Sequence, residues 1–427
     1  MARPTQTTQT RTDADGLTRT AGEVFPDGTL LELVRDPINP AELSLLHWKD
    51  ARSRIAREMP VGLCRYMPLE MDAGLVRHLP STAAPYASTE ELFNGVHDFI
   101  AKFSGLGEDE LLLLTGFVFS SLFAECFSMS PCMLLGGPSP VEATALLRLL
   151  GCFCRHSVLL VGAGLNGMPE QLRPTRLICQ PDATVDRLLG ALQFSGFGIA
   201  HSRGLRCPSA ATAIYVGVEE LKSPFAEACL WMPVAPTPQL FSIQDEQREA
   251  ARIVELQNQL LMYRLQNYAK VKTSTFDVPE FSGSSRELAR SLGACVVDAP
   301  DLQSRLVDRL RERDQAERSE RVGKIVSVIV EALVVCCHER KPSVHVAEVT
   351  KLANGILSRT REVVELTPKQ VGAKLRQQGF RTVRLDAAGR GIYLLNGQCA
   401  RIHELARTYG VPSVREGLPR CPHCQKS

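Results

Sequence analysis

A glycine, a serine and a threonine occupy positions that suit a phosphate-binding loop. The run MLLGGPSPVEATALLRLLG predicts a buried strand, a tight Gly/Pro/Ser loop and an amphipathic helix, the order found in loops that cradle phosphates. Aligned on GxxxxGK[ST], the segment GPSPVEAT keeps Gly137 and Thr144, but Glu142 replaces the second glycine and Ala143 replaces the lysine. The lost ammonium group and the added carboxylate both oppose binding of the β and γ phosphates of ATP.

The strand that would hold Mg²⁺ is altered as well. Active ATPases with such a phosphate-binding loop place an Asp, usually followed by a Glu, at the end of a buried strand. The Asp binds the metal and the Glu orients the attacking water. In TRLICQPD these positions are Cys179 and Gln180, and the nearest carboxylate is Asp182. We therefore expect a degenerate nucleotide site at which ATP and Mg²⁺ are disfavoured. Its residues are Gly137, Ser139, Thr144 and Asp182.

A second glycine pattern competes as a cofactor site. The residues GAGLNG, from Gly162 to Gly167, match GxGxxG after the strand SVLLV, with Asp182 further along the chain. A dinucleotide site needs a helix of about ten or more residues after the third glycine, whereas MPEQLRP is short and contains two prolines. We interpret GAGLNG as a turn between strands. An α/β core without nucleotide ancestry stays open as an alternative, because a strand, a glycine loop and a helix are weakly specific.

The C-terminal part of the chain carries the strongest charge asymmetry. Residues 341–412 hold 12 Lys or Arg against 5 Asp or Glu, although the net charge of the whole chain is only +2. Thr367 caps a predicted helix whose Val371 and Leu375 face inward, and FRTVRLDAAGRGIYLL then predicts a two-stranded hairpin. Two helices and a hairpin are the order of a winged helix, in which a polar helix face enters a DNA groove. A basic fold used for protein contacts is the alternative. The candidate DNA-binding residues are Lys369, Gln370, Lys374, Gln377, Arg381, Arg384 and Arg390.

The chain ends in RCPHCQKS, whose Cys421 and Cys424 have the spacing of half a zinc site. Cys399 and His403 stand at positions i and i+4 of the preceding predicted helix. These four side chains can converge as a Cys3His site that fastens the tail, and the alternatives are an exposed tail or a dimer contact. The 9 histidines are dispersed and form no Ser/His/Asp or Cys/His pattern that would indicate a hydrolase.

The elements that position these residues belong to a folded chain of two or three domains. A length of 427 residues, with 44% hydrophobic and 22% charged residues, excludes collagen-like and low-complexity classes. Most of the 14 cysteines lie in apolar runs, which favours a reducing compartment, and the polar N-terminal segment lacks the apolar core of a secretory signal. We therefore expect a cytoplasmic protein. Leu111 to Phe127 is short and polar for a membrane span and predicts a buried helix.

Short apolar runs alternate with helical patterns through the middle of the chain. A small hairpin is predicted up to Arg35, a charged helix around 46–58, and two helices over 88–127. Runs such as CMLLGG, SVLLVGAG, TRLICQPD and ATAIYVGV are then separated by helical segments, which predicts a largely parallel sheet. Further helical patterns cover 246–268 and 284–339.

In this order of elements the chain resembles the AAA-type P-loop ATPases that serve as helicase or primase-helicase modules of bacterial phages and mobile elements. The likeness covers roughly Pro68 to Pro412 and lies in YMPLE, APYASTEELF, LLGGPSPVEATALLRLLG, TRLICQPD, DVPEFSGSSRELARSLGA, LTPKQVGAKLRQQGF and RIHELARTYGV. Active members imply ATP-driven work on DNA by rings in which a neighbouring subunit supplies an arginine to each site. The resemblance implies an α/β fold of P-loop type with a mostly parallel sheet, helices on both faces, a helical lid and a C-terminal winged-helix domain.

The sequence therefore predicts a DNA-binding pseudo-ATPase that acts as a scaffold or oligomerisation core. The expected partners are double-stranded DNA and either further copies of the chain or a partner ATPase or replication protein, with no membrane. An active helicase subunit and a DNA-independent interaction protein are the alternatives. The predicted segments are a disordered leader (1–20), a mixed or helical region (21–105), the degenerate P-loop domain (106–270), a helical lid or linker (271–340), the winged helix (341–412) and the tail with its CxxC (413–427).

Overall fold

The computed structural model divides the chain into two compact units. The N-terminal unit comprises Met1–Asp277 and Glu287–Val307, and the C-terminal unit comprises Val278–Arg286 and Asp308–Ser427. The structure describes residues 17–71, 75–76, 78–161, 172, 175–180, 210–217, 226, 229–234, 237, 240–281, 283–321, 325–359, 365–387, 389–412, 421 and 423.

Two small sheets open the N-terminal unit. One sheet is antiparallel, with strand order β2-β3-β4-β5, and the other has the order β1-β7-β6, with β1 and β7 parallel. The buried apolar residues of both sheets, including Leu31, Leu33 and Leu45, pack into one cluster. The strands are β1 (Leu17–Thr20), β2 (Gly22–Val24), β3 (Leu30–Arg35), β4 (Leu43–Lys49), β5 (Arg52–Ala56), β6 (Met59–Val61) and β7 (Cys64–Pro68).

The predicted charged helix around 46–58 is wrong, because this segment forms β4, a tight turn and β5. Lys49 pairs with Arg52 across the turn, and the two residues between them, Asp50 and Ala51, both have positive φ angles. Two successive positive φ values are typical of a type I′ hairpin turn, which Asn-Gly normally signals. Asp-Ala does not signal it, so the strand alternation went unrecognised. Leu17–Thr20, which falls in the predicted leader, forms β1.

A five-stranded parallel sheet forms the centre of the N-terminal unit. Its strand order is β12-β8-β11-β10-β9, so β8, which comes first of these five strands in the sequence, lies inside the sheet. Every residue of β8 is buried, which explains the continuous apolar run CMLLG. The fold of this unit is therefore mixed α/β, as predicted. The strands are β8 (Cys132–Gly136), β9 (Val158–Val161), β10 (Arg176–Gln180), β11 (Thr212–Gly217) and β12 (Leu230–Pro233).

Helices precede and follow the strands of this sheet in the sequence, and their apolar residues form much of the core of the N-terminal unit. The helix α1 (Thr89–Ser104) is capped by the Ser88 hydroxyl, and α3 (Pro140–Gly151) packs against β9, β10 and β11. The helix α2 (Glu108–Ser121) is the buried helix predicted for the most apolar stretch, and its hydroxyl groups donate to carbonyls of the same helix. Among the described residues, no helix has both the length and the apolar character needed to cross a membrane.

Two glutamates and two arginines form a buried ion network in the N-terminal unit. Arg264 donates through Nε to Glu32 at 2.6 Å and through Nη2 to Glu125, while Nη2 of Arg155 lies 3.0 Å from Glu32. Burial raises the pKa of Glu32 and of Glu125, but the two guanidinium groups outweigh it and hold both pKa values below their ordinary range. The pKa of the adjacent His156 is lowered well below its ordinary value by burial and then by the same arginines.

The helical region predicted over 284–339 is present as three helices. α6 spans Gly283–Ala294, α7 spans Pro300–Arg321, and α8 spans Ile325–His338. They follow α4 (Ile243–Arg248) and α5 (Ala250–Lys272). The division between the two compact units falls within α6 and within α7. The apolar α8 lies in the core of the C-terminal unit.

The C-terminal unit combines the later part of α7, α8 and three further helices with a three-stranded antiparallel sheet. The sheet order is β13-β15-β14, and the two helices and the hairpin predicted over 341–412 are present. Leu333, Val349, Leu375 and Ile402 bring α8 and the three following helices into one core. The elements after α8 are β13 (Ser343–His345), α9 (Val346–Arg359), α10 (Pro368–Gln377), β14 (Val383–Asp386), β15 (Gly389–Tyr393) and α11 (Asn396–Thr408).

Candidate functional site

A buried group of two thiols and one imidazole lies in the C-terminal unit. Cys337 belongs to the last turn of α8, His403 to α11, and Cys421 to the C-terminal tail. Sγ of Cys337 lies 3.7 Å from Nε2 of His403, which lies 3.0 Å from Sγ of Cys421. All three donor atoms lie within 4.8 Å of one another, and all three side chains are buried. This group could hold a metal ion.

Two further cysteines were predicted for the same site. Cys399 is buried on α11, where its thiol donates to the Leu394 carbonyl at 3.4 Å. Cys424 lies outside the described residues. The structure therefore brings His403 and Cys421 together, as predicted, places Cys399 beside them, and adds Cys337.

Burial sets the protonation of this group. It lowers the pKa of His403 to about 4, and two neighbouring histidines add to the effect. Burial also raises the pKa of Cys337, and the thiols of Cys399 and Cys421 raise it further. At neutral pH the imidazole is therefore neutral and can offer a lone pair, whereas the Cys337 thiol stays protonated unless a metal displaces its proton.

The sequence gives a weak signal for Cys337. The residue lies in an apolar helical run, where a cysteine usually serves as a small core side chain. The available hint is the succession Cys336, Cys337 and His338, which puts three potential ligands at the end of one helix. Which of them faces the tail depends on how α8 packs on α11, and local spacing does not specify that.

The helix α10 begins as predicted and exposes a polar face. Thr367 accepts a hydrogen bond from the Gln370 N–H, and Gln370 Oε1 accepts from the Thr367 N–H at 2.9 Å, which forms a capping box. Val371 and Leu375 are buried, whereas Lys369 and Gln377 are exposed. Because the Gln370 carbonyl oxygen holds the cap, this side chain is a poor candidate for reading a base.

Six cations from the start of α10 to β15 form no salt bridge within the part of the chain that the structure describes. Five are exposed and Lys374 is half-buried. Asp386 of the hairpin pairs with His345 at 3.1 Å instead. Arg384 and Arg390 face each other across the hairpin in register. The six cations, which we call the basic face, are Lys369, Lys374, Arg376, Arg381, Arg384 and Arg390.

Both backbone polar groups of Gly137, in the loop after β8, form hydrogen bonds within the protein. The Gly137 N–H donates to the Gly217 carbonyl at 2.9 Å, and the Gly137 carbonyl accepts from the Tyr215 hydroxyl at 2.9 Å. A Cβ at position 137 would lie 2.1 Å from the carbonyl oxygen of Val234, so only glycine fits. Because its N–H already has a partner, Gly137 does not offer it to a phosphate.

The remaining positions of the predicted phosphate loop lie at or inside the helix α3. This helix begins at Pro140, with Ser139 as N-cap, so that Glu142, Ala143 and Thr144 are helical. Ala143, at the position of the lysine, is completely buried. The Glu142 carboxylate lies in the first turn, where it supplies the negative charge that a helix N-terminus favours, and its Oε2 is buried with no hydrogen-bond partner among the described residues.

The metal-binding half of the predicted nucleotide site is only partly described. β10 carries Cys179, whose thiol donates to the Leu160 carbonyl at 3.1 Å. Asp182 and the GAGLNG segment lie outside the described residues.

No protein-family model matches this chain, and a search of curated proteins finds no significant sequence match. Its function must therefore be inferred from its own residues.

Proposed function

We propose that this chain is a DNA-binding pseudo-ATPase. In this proposal a winged-helix module in the C-terminal unit binds duplex DNA, and a degenerate P-loop domain in the N-terminal unit serves as scaffold or oligomerisation core. The observation that carries the proposal is the basic face, whose six cations between Lys369 and Arg390 form no salt bridge among the described residues. A relation to the replication helicases of mobile elements is part of the proposal.

The order of elements supports a winged helix. The helix α8, the strand β13, the helices α9 and α10 and the β14–β15 hairpin follow one another around one core. In such a module α10 is the helix that enters the major groove, and the hairpin contacts the adjacent backbone. Lys369 and Gln377 then face the groove, while Arg381, Arg384 and Arg390 neutralise phosphates.

The charge pattern of the hairpin favours a polyanion as ligand. Arg384 and Arg390 lie directly opposite each other, and like charges in this arrangement destabilise a sheet. A phosphate between or beside them would remove that repulsion. Arg390 Nη2 donates to the Thr382 carbonyl at 2.9 Å, which holds its guanidinium group at the hairpin surface. We therefore infer that Arg384 and Arg390 bind an anion.

The N-terminal unit supports the pseudo-ATPase part of the proposal. Its first sheet strand lies inside a parallel sheet and is followed by a glycine loop and a helix, which is where open α/β sheets bind ligands. The Gly137 N–H is engaged within the protein, α3 begins at Pro140, and the Glu142 carboxylate places negative charge where the phosphates would lie. This unit would then join copies of the chain or a partner ATPase or replication protein, in the cytoplasm.

Zinc is the ion that we propose for the Cys/His group. Thiolate and neutral imidazole are the ligands that zinc takes in structural sites, whereas Mg²⁺ and Ca²⁺ prefer oxygen. Neither ATP nor Mg²⁺ is required in this proposal.

Fluorescence anisotropy with a labelled duplex tests DNA binding on the full-length chain. The variant K369E/K374E/R381E reverses three charges of the basic face. We expect it to bind at least about 50-fold more weakly and to lower the slope of log K against log salt by about 3, because each lost phosphate contact removes about one.

The matched control reverses three arginines that are already in exposed ion pairs. R252E/R305E/R309E changes the net charge equally but breaks pairs with Glu255, Glu108 and Glu312. We expect it to bind duplex DNA within about threefold of the wild type. An equal loss of duplex affinity in both variants would mean that binding depends only on the net charge of the protein. No duplex binding by the wild type would favour a protein partner for the basic face.

A further inference from the structure

We infer that Cys337 of α8 is a ligand of a structural zinc centre that fastens the C-terminal tail to α8 and α11. The inference deepens the proposed zinc site by naming the ligand that the sequence pattern does not reveal, and it does not depend on DNA binding. His403 and Cys421 are the other two ligands whose donor atoms the structure brings together.

The separations of the donor atoms fit a tetrahedral zinc ion. Zinc bonds of about 2.3 Å to sulfur and about 2.0 Å to nitrogen place a sulfur and a nitrogen ligand about 3.5 Å apart and two sulfurs about 3.8 Å apart. Nε2 of His403 lies 3.7 Å from Sγ of Cys337 and 3.0 Å from Sγ of Cys421, and the two sulfurs lie within 4.8 Å of each other. Small side-chain adjustments would complete the geometry.

Three potential metal ligands meet at one point of the core. Both Cys337 and Cys421 approach Nε2 of His403. A metal ion can bind all three donor atoms at once, and each thiol that binds it releases its proton to solvent.

The burial of Cys421 shows that the tail is anchored at this point. The side chain is 2% exposed although it lies beyond the last helix of the described chain, and it belongs to the core of the C-terminal unit. The ring of His423 stacks against His403 with centroids 6.1 Å apart. With ligands from α8, α11 and the tail, the metal would cross-link three separate segments of this core.

A structural zinc site takes four protein ligands, so one more cysteine is needed. Two are available: Cys399, which lies one turn before His403 on α11, and Cys424, which follows Cys421 by three residues in the sequence. The inference about Cys337 holds with either residue in the fourth position.

Cobalt substitution and metal content of the full-length chain test the inference. We expect one equivalent of zinc and, with Co²⁺, the thiolate-to-cobalt absorption of a tetrahedral site. Cys337→Ser should weaken Co²⁺ binding by at least about 100-fold, since a ligand loss exceeds the 10–100-fold cost of losing a supporting residue. Cys336→Ser is the matched control, because Cys336 is the adjacent buried thiol and lies outside the group, and it should bind like the wild type.

Two further measurements separate ligand loss from misfolding. Cys337→His keeps a zinc ligand and should retain one equivalent of Co²⁺ with weaker thiolate absorption. In the wild type under reducing conditions, chelation should increase alkylation of Cys337 and Cys421, read by peptide mass spectrometry, with little change at Cys336. Wild-type affinity in Cys337→Ser, together with unchanged alkylation of Cys337 on chelation, would overturn the inference and leave zinc at the other ligands. Absence of metal from the wild type, with no Co²⁺ spectrum, would overturn the zinc site altogether without affecting the DNA-binding test.

Discussion

Arginines are used in opposite ways in the two units. In the N-terminal unit, Arg264 is buried and Arg155 is half-buried, and each lies between the carboxylates of Glu32 and Glu125. On the basic face of the C-terminal unit, six cations are at the surface, and none forms a salt bridge among the described residues. In the first arrangement carboxylates of the same chain compensate the arginines. In the second the positive charges are available to an anionic ligand.

This difference separates a structural role from a binding role. A buried guanidinium group is tolerated only when carboxylates compensate its desolvation, so its removal leaves uncompensated charge in the core. Exposed cations without partners contribute little to stability, and those that face each other reduce it. We therefore expect substitutions in the ion network to change folding and substitutions in the basic face to change DNA binding.

The largest expected effect is on the buried network. Arg264→Ala should lower the free energy of unfolding of the N-terminal unit by about 3–5 kcal/mol, because Glu32 and Glu125 lose a shared partner in the core. Urea unfolding of the full-length chain measures it, and Arg252→Ala, at an exposed pair, is the control with an expected loss under about 1 kcal/mol. A loss under about 1 kcal/mol for Arg264→Ala would remove the contrast between the two units.

The converse change places an unpaired cation in the core. Ala143→Lys restores the lysine of the phosphate-loop pattern but puts it at a completely buried position inside α3. We expect a loss of about 2–4 kcal/mol from overpacking and from desolvating an amine, and no gain of nucleotide binding. Differential scanning fluorimetry with and without MgATP reads both effects, with Ala143→Leu as a control for size. A tolerated lysine with an ATP-dependent rise in melting temperature would instead indicate a working phosphate loop.

The buried network should also make the N-terminal unit sensitive to acid. The folded pKa of His156 is far below its unfolded value of about 6.5, so below pH 6.5 the unfolded chain binds a proton that the folded chain does not. The free energy of unfolding should fall by up to about 1.4 kcal/mol per pH unit. Below pH about 4.5, protonation of Glu32 and Glu125, whose folded pKa values are lowered, should remove further stability.

Urea unfolding between pH 8 and pH 4 measures this dependence. His156→Gln should flatten the part between pH 6.5 and pH 4.5 and keep the loss at lower pH. A wild-type profile that coincides with the variant profile over the whole range would contradict a neutral buried His156.

The smallest expected effect is a gain in stability on the basic face. Arg384→Thr removes one of two arginines that face each other across the hairpin and should stabilise the hairpin by a few tenths of a kcal/mol. The same substitution should weaken duplex binding severalfold through one lost phosphate contact. Hydrogen exchange of the β14–β15 peptides and anisotropy report the two effects, and a stability loss with unchanged DNA affinity would make Arg384 a structural residue.

Sequence patterns with a local cause were the predictable part of this fold. Alternating buried strands and helices predicted the parallel sheet, and Thr367 with Gln370 marked the start of α10 through a capping box. The hairpin of β4 and β5 was missed, because its turn residues Asp50 and Ala51 adopt positive φ values without the usual glycine.

The candidate metal centre was also only partly predictable from local sequence patterns. Cys421 and His403 were predictable from the CxxC spacing and from position on a helix. Cys337 was not, because its role depends on the packing of α8 against α11, which is a long-range contact. The ion network also depends on such contacts, since its four residues come from distant parts of the chain.

The most direct test of the central claim is the salt dependence of duplex binding by the full-length chain, measured with and without MgATP. We predict binding that weakens linearly on a log–log plot as salt rises, with a slope of up to about −5 if all six cations meet phosphates, and no change on adding MgATP. Binding that requires MgATP would contradict the claim by restoring an ATPase. Binding that is absent at low salt would contradict the assignment of the basic face to DNA.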